Sequence, residues 1–196
     1  MQSIPLTKKN SLLSLALATA LLLVPAAFTA NKSVVEGKEP AVSLLKPGQK
    51  APSNVLMDIN GNNVIFPTEN KWNLVFYWSL FCHSCIEEMP ELHERLAELK
   101  GDDLCTYFVS LDTDQMQKAL KNFVKRRKFT KTILMEQLRG EKYVTADTWG
   151  VVMTPTVFIV DPNGKIVFSN QGPLDIDLFF KNLPEAIARP AVGAGK

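Results

Sequence analysis

Cys82 and Cys85, three positions apart, are the residues of this 196-residue chain whose type and spacing carry chemistry. They close the stretch Trp72 to Cys85 (WNLVFYWSLFCHSC), where a continuous apolar and aromatic run gives way to a helical pattern. A Cys-x-x-Cys at a strand-to-helix junction puts its first cysteine at the helix N-terminus, among free backbone N–H groups and the positive end of the helix dipole. That setting stabilises a thiolate and lowers its pKa below the roughly 8.5 of free cysteine. Cys82 therefore reads as the attacking thiol. Cys85, one helical turn on and more enclosed, reads as the thiol that resolves a mixed disulfide. The competing chemistry is half of a zinc site. Zinc wants four ligands, and the other sulfur or imidazole candidates are only Cys105, His83 and His93. No metal is expected, and no cofactor beyond the redox-active Cys82–Cys85 disulfide.

The neighbours carry two readings each. His83 is either a cation that favours the thiolate and raises the reduction potential, or an exposed spacer; Ser84 completes the pair between the cysteines. Trp78 and Phe81 either shield one side of the thiol and offer partners an apolar surface, or are plain core. Cys105, inside an apolar strand, reads as a buried and inert small residue, and His93 as a solvated or packed residue of the helix flank. Thr154-Pro155-Thr156 is the second feature. A proline at the start of a strand has no N–H to give the ladder. If its bond is cis, the turn presents the Thr154 backbone beside the cysteines for strand-like pairing with a peptide; the residues alone leave cis and trans open.

The elements that must position these residues follow from periodicity. Val55–Asp58 and Val64–Phe66 flank Asn60-Gly61, a strong hairpin signal. Trp72–Trp78 has the length and composition of a central strand covered on both faces. From Cys85, the residues Ile86, Met89, Leu92, Leu96 and Leu99 recur at helical spacing, Pro90 predicts a kink, and Gly101 predicts the stop. Leu104–Leu111 is the next buried strand. Asp112 to Asp114 supply a turn and cap for a helix over Gln115–Lys128, and Thr132–Met135 a short strand. Residues 136–150 are a poorly patterned link. Thr156–Val160, the turn Asp161-Pro162-Asn163-Gly164 and Lys165–Phe168 form a second hairpin, and a last helix, capped by Asp175 or Asp177, reaches Ala188. The expected class is α/β, one mixed sheet with helices on both faces.

Lys8 and Lys9, the apolar run Leu12–Val24 and the small residues after Pro25 make up the pattern of an export signal. Residues 1–30 are expected to be a signal peptide, cleaved after Ala26 or Ala30, or a retained N-terminal membrane anchor. Residues 31–47 read as a linker, 48–189 as one domain, and 190–196 as a flexible tail. That domain is long enough to bury a core without disulfides holding it together. The whole chain has a formal charge of +2, and losing Lys8 and Lys9 brings it to zero, so no nucleic-acid partner is expected. Lys125-Arg126-Arg127-Lys128 is a local basic stretch, read as a solvated helix end or a docking patch. In an exported chain three cysteines make one pair and one left over, and a pair this close closes almost no loop, so it points to chemistry and not to a structural staple.

These residues resemble the thioredoxin superfamily, and within it the TlpA-like group of exported reductases, which includes the ResA and CcmG proteins of cytochrome c maturation and has a domain of the AhpC/TSA-redoxin type. The likeness runs from about Lys46 to Ala188. It rests on Gly48-Gln49-Lys50-Ala51-Pro52, the Asp58–Val64 hairpin, Asn73–Cys85 followed by Glu87-Glu88-Met89-Pro90, Gly150–Thr156, and Asp161–Ile166. It implies a thioredoxin-like fold with an N-terminal β-hairpin and an inserted strand–helix segment over Asp112–Met135. It also implies Cys82 as nucleophile, Cys85 as resolving thiol and Pro155 as a cis proline. Its activity would be the reduction of disulfides in exported partners, often the haem-binding cysteines of apocytochrome c, with electrons from a membrane thiol carrier. The chain departs from the group at Phe81, where tryptophan is usual, and at His83-Ser84. Phe76 stands where thioredoxin itself keeps a buried aspartate. Some members carry a buried glutamate on the inserted strand, and no equivalent is evident, because Asp112 and Glu136 fall at element edges.

The expected activity is thus an extracytoplasmic, monomeric protein-disulfide reductase. A disulfide oxidase or isomerase of the same fold is the alternative. A peroxiredoxin-like peroxidase lacks its upstream proline here, since Val75 stands in that place. A copper-binding chaperone lacks its distal histidine.

Overall fold

The computed structural model describes residues 43–99, 104–184 and 187. The leader, the first part of the linker, the tail and Gly101 lie outside these residues. In chain order the elements are β1 (Asn54–Asp58), β2 (Asn63–Phe66), β3 (Trp72–Trp78), α1 (His83–Ala97), β4 (Leu104–Ser110), α2 (Gln117–Arg127) and β5 (Thr132–Met135). There follow β6 (Leu138–Arg139), β7 (Lys142–Tyr143), α3 (Ala146–Trp149), β8 (Thr156–Val160), β9 (Ile166–Gln171) and α4 (Ile176–Lys181).

One seven-stranded sheet runs in the order β2-β1-β5-β4-β3-β8-β9. β3, β4 and β5 are parallel neighbours, while β3–β8, β8–β9, β1–β2 and β1–β5 pair antiparallel. β3 is central, and Leu74 to Trp78 are all 0% exposed. Successive side chains point to opposite faces, and the core divides accordingly. Leu74, Phe76 and Trp78 pack with Met89, Leu92, Leu120 and Phe179 of α1, α2 and α4. Val75 and Tyr77 pack on the opposite face with Tyr107, Trp149 and Phe158. Each fully buried Leu or Phe of these layers contributes about 1.5–3 kcal/mol.

The expectation of helices on both faces holds unevenly. β3, β4 and β5 step across the sheet in one direction, and right-handed crossovers between them leave α1 and α2 on one face. The other face is closed by the short α3 and by Leu44, Leu45 and Ala51 of the segment before β1. That segment lies against Gly150, which ends α3 at φ 73°; a Cβ there would collide with the Ser43 carbonyl. Left-handed backbone and close approach together require glycine.

Several boundaries differ from expectation. α1 begins at His83 and continues through Pro90 to Ala97. α2 starts at Gln117, behind a 3-10 turn over Asp114–Met116, with no side-chain cap; the Asp112 carboxylate is engaged elsewhere. The 136–150 link folds into the β6–β7 hairpin and α3, and α4 ends at Lys181, with Asp175 as its cap. Cys105 is half-buried rather than buried. No helix among the described residues is long and apolar enough to cross a membrane.

Candidate active site

β3 ends at Trp78 and α1 begins at His83, so residues 79–82 form the turn that carries the first cysteine. Cys82 is the N-cap of α1, with extended φ −89° and ψ 104°. Its N–H donates to Ser79 O at 3.1 Å and its carbonyl accepts from Ile86 N at 3.1 Å. The Cys85 N–H donates to Cys82 Sγ at 3.3 Å, so a free helix-end donor is aimed at that sulfur. The two cysteines form a disulfide with their Cα atoms 5.3 Å apart. Cys82 is half-buried and Cys85 is 0% exposed. The chain therefore presents one sulfur to a partner and encloses the other.

Ser84 Oγ lies 3.6 Å from Cys82 Sγ, within reach of a weak hydrogen bond to sulfur. His83 points away: its Nε2 is 3.2 Å from Glu87 Oε1 on the exposed face of α1. The two aromatics separate. Trp78 is fully buried, its ring tilted 37° to Phe123 at 5.4 Å between centroids, so of its two readings the plain-core one fits the packing and the partner-surface one does not. The strand period turns it toward α2 along with Leu74 and Phe76. Phe81, beyond the strand end, is 79% exposed.

The Thr154–Pro155 bond is cis. The β3–β8 ladder ends at the Tyr77–Thr156 pair, which sets Thr154-Pro155 beside the turn that follows Trp78. Pro155 is buried and Thr154 half-buried, and Thr156 Oγ1 donates to Met153 O at 2.7 Å. An open groove of about 440 Å³ runs along this junction, lined by Ser79, Phe81, Asp112, Val152, Met153 and Thr154. Val152 and Met153 are exposed, so with Phe81 they give the groove an apolar rim.

Both carboxylates set aside as edge residues are buried. Asp112 is 5% exposed and accepts from Leu80 N at 2.8 Å, Ser79 Oγ at 2.9 Å and Ser110 Oγ at 2.6 Å. Glu136 is 4% exposed and accepts from Gln137 N at 2.9 Å, Ala146 N at 2.9 Å, Thr145 N and Thr145 Oγ1. Polar groups at a strand end are drawn inward when they satisfy backbone donors that water cannot reach. Tyr77 donates to Thr145 Oγ1 at 3.2 Å; burial first, opposed by that bond and aided by the Glu136 charge, pushes its phenol pKa well up. His93 Nε2 receives the Thr130 N–H at 3.0 Å, so that nitrogen is the unprotonated one. Burial, then the Lys131 charge, lowers its pKa, against the pull of Glu94. The site residues missed in the sequence are Ser79 and Asp112. Their signal was a serine just past the end of one apolar run and an aspartate just past the end of the next. No group of three or more His, Cys, Asp or Glu able to hold a metal occurs among the described residues.

Comparison with known proteins agrees with this geometry. The AhpC/TSA family model matches residues 47–169. Thiol-disulfide oxidoreductase ResA of Bacillus thuringiensis (strain Al Hakam) is 28% identical over 161 residues, covering 82% of this chain and 87% of that protein. Sporulation thiol-disulfide oxidoreductase A of Bacillus subtilis is 25% identical, covering 71% and 78%. The solution structure of a thiol:disulfide interchange protein from Bacteroides sp. superposes with a TM-score of 0.59 at 26% identity, over 70% of this chain and 90% of that one. With a cysteine pair at the start of the helix after the central strand of such a fold, the chain belongs to the AhpC/TSA family, as a TlpA/ResA-like thiol–disulfide oxidoreductase of the thioredoxin superfamily.

Proposed function

We propose that this enzyme works outside the cytoplasm as a reductase of disulfides in exported proteins. Cys82 and Cys85, once reduced, supply the two electrons. The Cys82 thiolate attacks one sulfur of a partner disulfide, forming a mixed disulfide and releasing the partner's other sulfur as a thiolate that takes up a proton. Cys85, having given up its proton, then attacks Cys82 Sγ, expelling the second partner thiolate and leaving the Cys82–Cys85 disulfide. Pro155 and Thr154 lie beside the turn to align a partner strand, and Phe81 offers it an apolar contact; Trp78 and Ser84 support the pair from below and beside. A membrane thiol–disulfide donor restores the dithiol. The haem-binding cysteines of an apocytochrome c are the substrate class to which the TlpA-like resemblance points, and the apolar leader supports export, cleaved or retained as an anchor.

The observation that carries the assignment of roles is the asymmetry of the pair. Cys82 is half-buried at the helix cap and takes the Cys85 N–H, whereas Cys85 is fully enclosed. Replacing Cys85 with alanine is expected to accumulate a mixed disulfide through Cys82, seen as a reductant-sensitive adduct on gels. Trapping that needs Cys85 and not Cys82 would reverse the roles. The direction is tested by the reduction potential of the purified full-length protein in defined thiol buffers. A value near or below the roughly −270 mV of thioredoxin supports a reductase, and one near the roughly −120 mV of strongly oxidising relatives sinks it. The pairing of His83 with Glu87 favours the reductase, because a compensated imidazole lends the thiolate little.

A further inference from the structure

We infer that Asp112 is a positioning residue of the redox turn, acting on Cys82 through Ser79 and Leu80 to keep the couple reducing. The inference rests on the reading of Cys82 as the attacking thiol.

The turn between β3 and α1 has its backbone donors allocated. Leu80 N–H goes directly to Asp112 Oδ2 at 2.8 Å. Phe81 N–H goes to Ser79 Oγ at 3.1 Å, and that hydroxyl in turn donates to Asp112 Oδ1 at 2.9 Å. Cys82 N–H goes to Ser79 O at 3.1 Å. The carboxylate itself is tied to β4 by Ser110, whose Oγ donates to Oδ2 at 2.6 Å and accepts from Asp112 N at 3.2 Å. Three consecutive N–H groups before the helix are thus consumed within a network whose far end is one buried side chain, 32 positions along the chain from Leu80. The N–H that remains on Cys82 Sγ is that of Cys85.

Two physical consequences run the same way. A thiolate at a helix cap is stabilised by every N–H dipole left free to face it, and here Leu80 and Phe81 are held to Asp112 and Ser79. All three bonds to Asp112 are donated to its oxygens, as an ionised carboxylate requires. A negative charge on the buried Asp112 carboxylate, beside the turn, disfavours a second negative charge on Cys82. A less stable thiolate makes the dithiol a stronger reductant, because the reduced state loses its stabilisation relative to the disulfide. Of the other titratable groups near the turn, His83 and Glu87 pair with each other on the exposed face of α1, away from the sulfur. Tyr143 lies across the groove and donates its hydroxyl to Leu111 O at 3.3 Å.

The test equilibrates purified full-length wild type, Asp112→Asn and Ser79→Ala with glutathione, where two GSH reduce the Cys82–Cys85 disulfide to two thiols and become GSSG. Asn keeps the shape of the side chain and removes the charge. Asp112→Asn is expected to make the disulfide about tenfold easier to reduce, about 30 mV less negative for this two-electron couple. It should also move the pH profile of Cys82 alkylation to lower pH. Ser79→Ala, which frees Phe81 N–H and removes one donor from Asp112 while leaving its charge and the Leu80 bond, should shift both readouts the same way by about threefold. A lower melting temperature with unchanged potential and alkylation profile, or a shift toward a more reducing couple, overturns the inference. If Asp112→Asn does not fold, Ser79→Ala decides alone. The wild-type potential tests the reductase reading and the Cys85→Ala trap tests the role of Cys82, whereas the difference between variants and wild type tests this inference, so the failures are distinguishable.

Discussion

Asp112 and Glu136 both lie just past the ends of adjacent parallel strands, yet they serve different parts of the molecule. Asp112 lies two residues beyond the end of β4, and Glu136 follows β5 directly; both are buried and both end in backbone N–H groups of a later or earlier turn. Asp112 reaches to Leu80 and Ser79, ahead of the cysteines. Glu136 reaches to Thr145 and Ala146, at the start of α3 on the other face of the sheet. A carboxylate at a strand end is defined by the donors it collects. One set belongs to a turn that must exchange disulfides, the other to a cap that only has to hold α3 and, through Tyr77, the sheet.

The largest effect is expected from Glu136→Ala. It strands Thr145 N, Thr145 Oγ1 and Ala146 N in a buried place and releases Gln137 N at an exposed residue. The expected loss is about 3 kcal/mol, a fall of about 10 °C in melting temperature, with the reduction potential unchanged. A potential that moved as far as that expected for Asp112→Asn would erase the distinction between the two carboxylates.

Glu88 sharpens the comparison from the other side, as a carboxylate only half served. Its Oε1 accepts from Leu174 N at 3.1 Å, while its buried Oε2 has no hydrogen-bond partner among the described residues. Burial raises its pKa above the ordinary 4.5; the Leu174 bond opposes this and the Glu87 charge adds to it. Between 4.5 and the raised folded value, the folded chain holds a proton that the unfolded chain has released. Stability from this group therefore falls as pH rises through that window. Glu88→Gln keeps the acceptor for Leu174 and removes the charge. It should melt about 2 °C above wild type at pH 7, and the two curves should converge on acidification below the unfolded carboxylate value. A pH-independent difference would mean that packing, and not charge, sets the effect.

Much of the active site was legible in the residues. The run WNLVFYW has the length and composition of a strand buried on both faces, and the helical spacing of Met89, Leu92 and Leu96 starts immediately after the cysteines, so the strand–turn–helix junction that caps a helix with Cys82 follows from local pattern. The two hairpins follow from Asn60-Gly61 and Asp161-Pro162-Asn163-Gly164, where turn chemistry acts over four residues. These signals are short-range, and burial of the apolar faces reinforces them.

Which distant groups meet is a property of the packed chain. Trp78 and Phe81 are both aromatic and three positions apart, but the pleat and the strand end bury one at 0% and leave the other 79% exposed. His83 could face the sulfur or solvent, and Glu87 one turn along settles it. Asp112 to Asp114 were expected to supply a turn and cap for α2; the parallel register that pairs Trp78 with Ser110 instead brings Asp112 beside Leu80, whose N–H it accepts along with two serine hydroxyls. Periodicity tells each segment which of its faces is apolar. It does not tell two segments thirty residues apart which of their polar atoms will be enclosed together, because that depends on sheet order and register, which are properties of the whole packed chain.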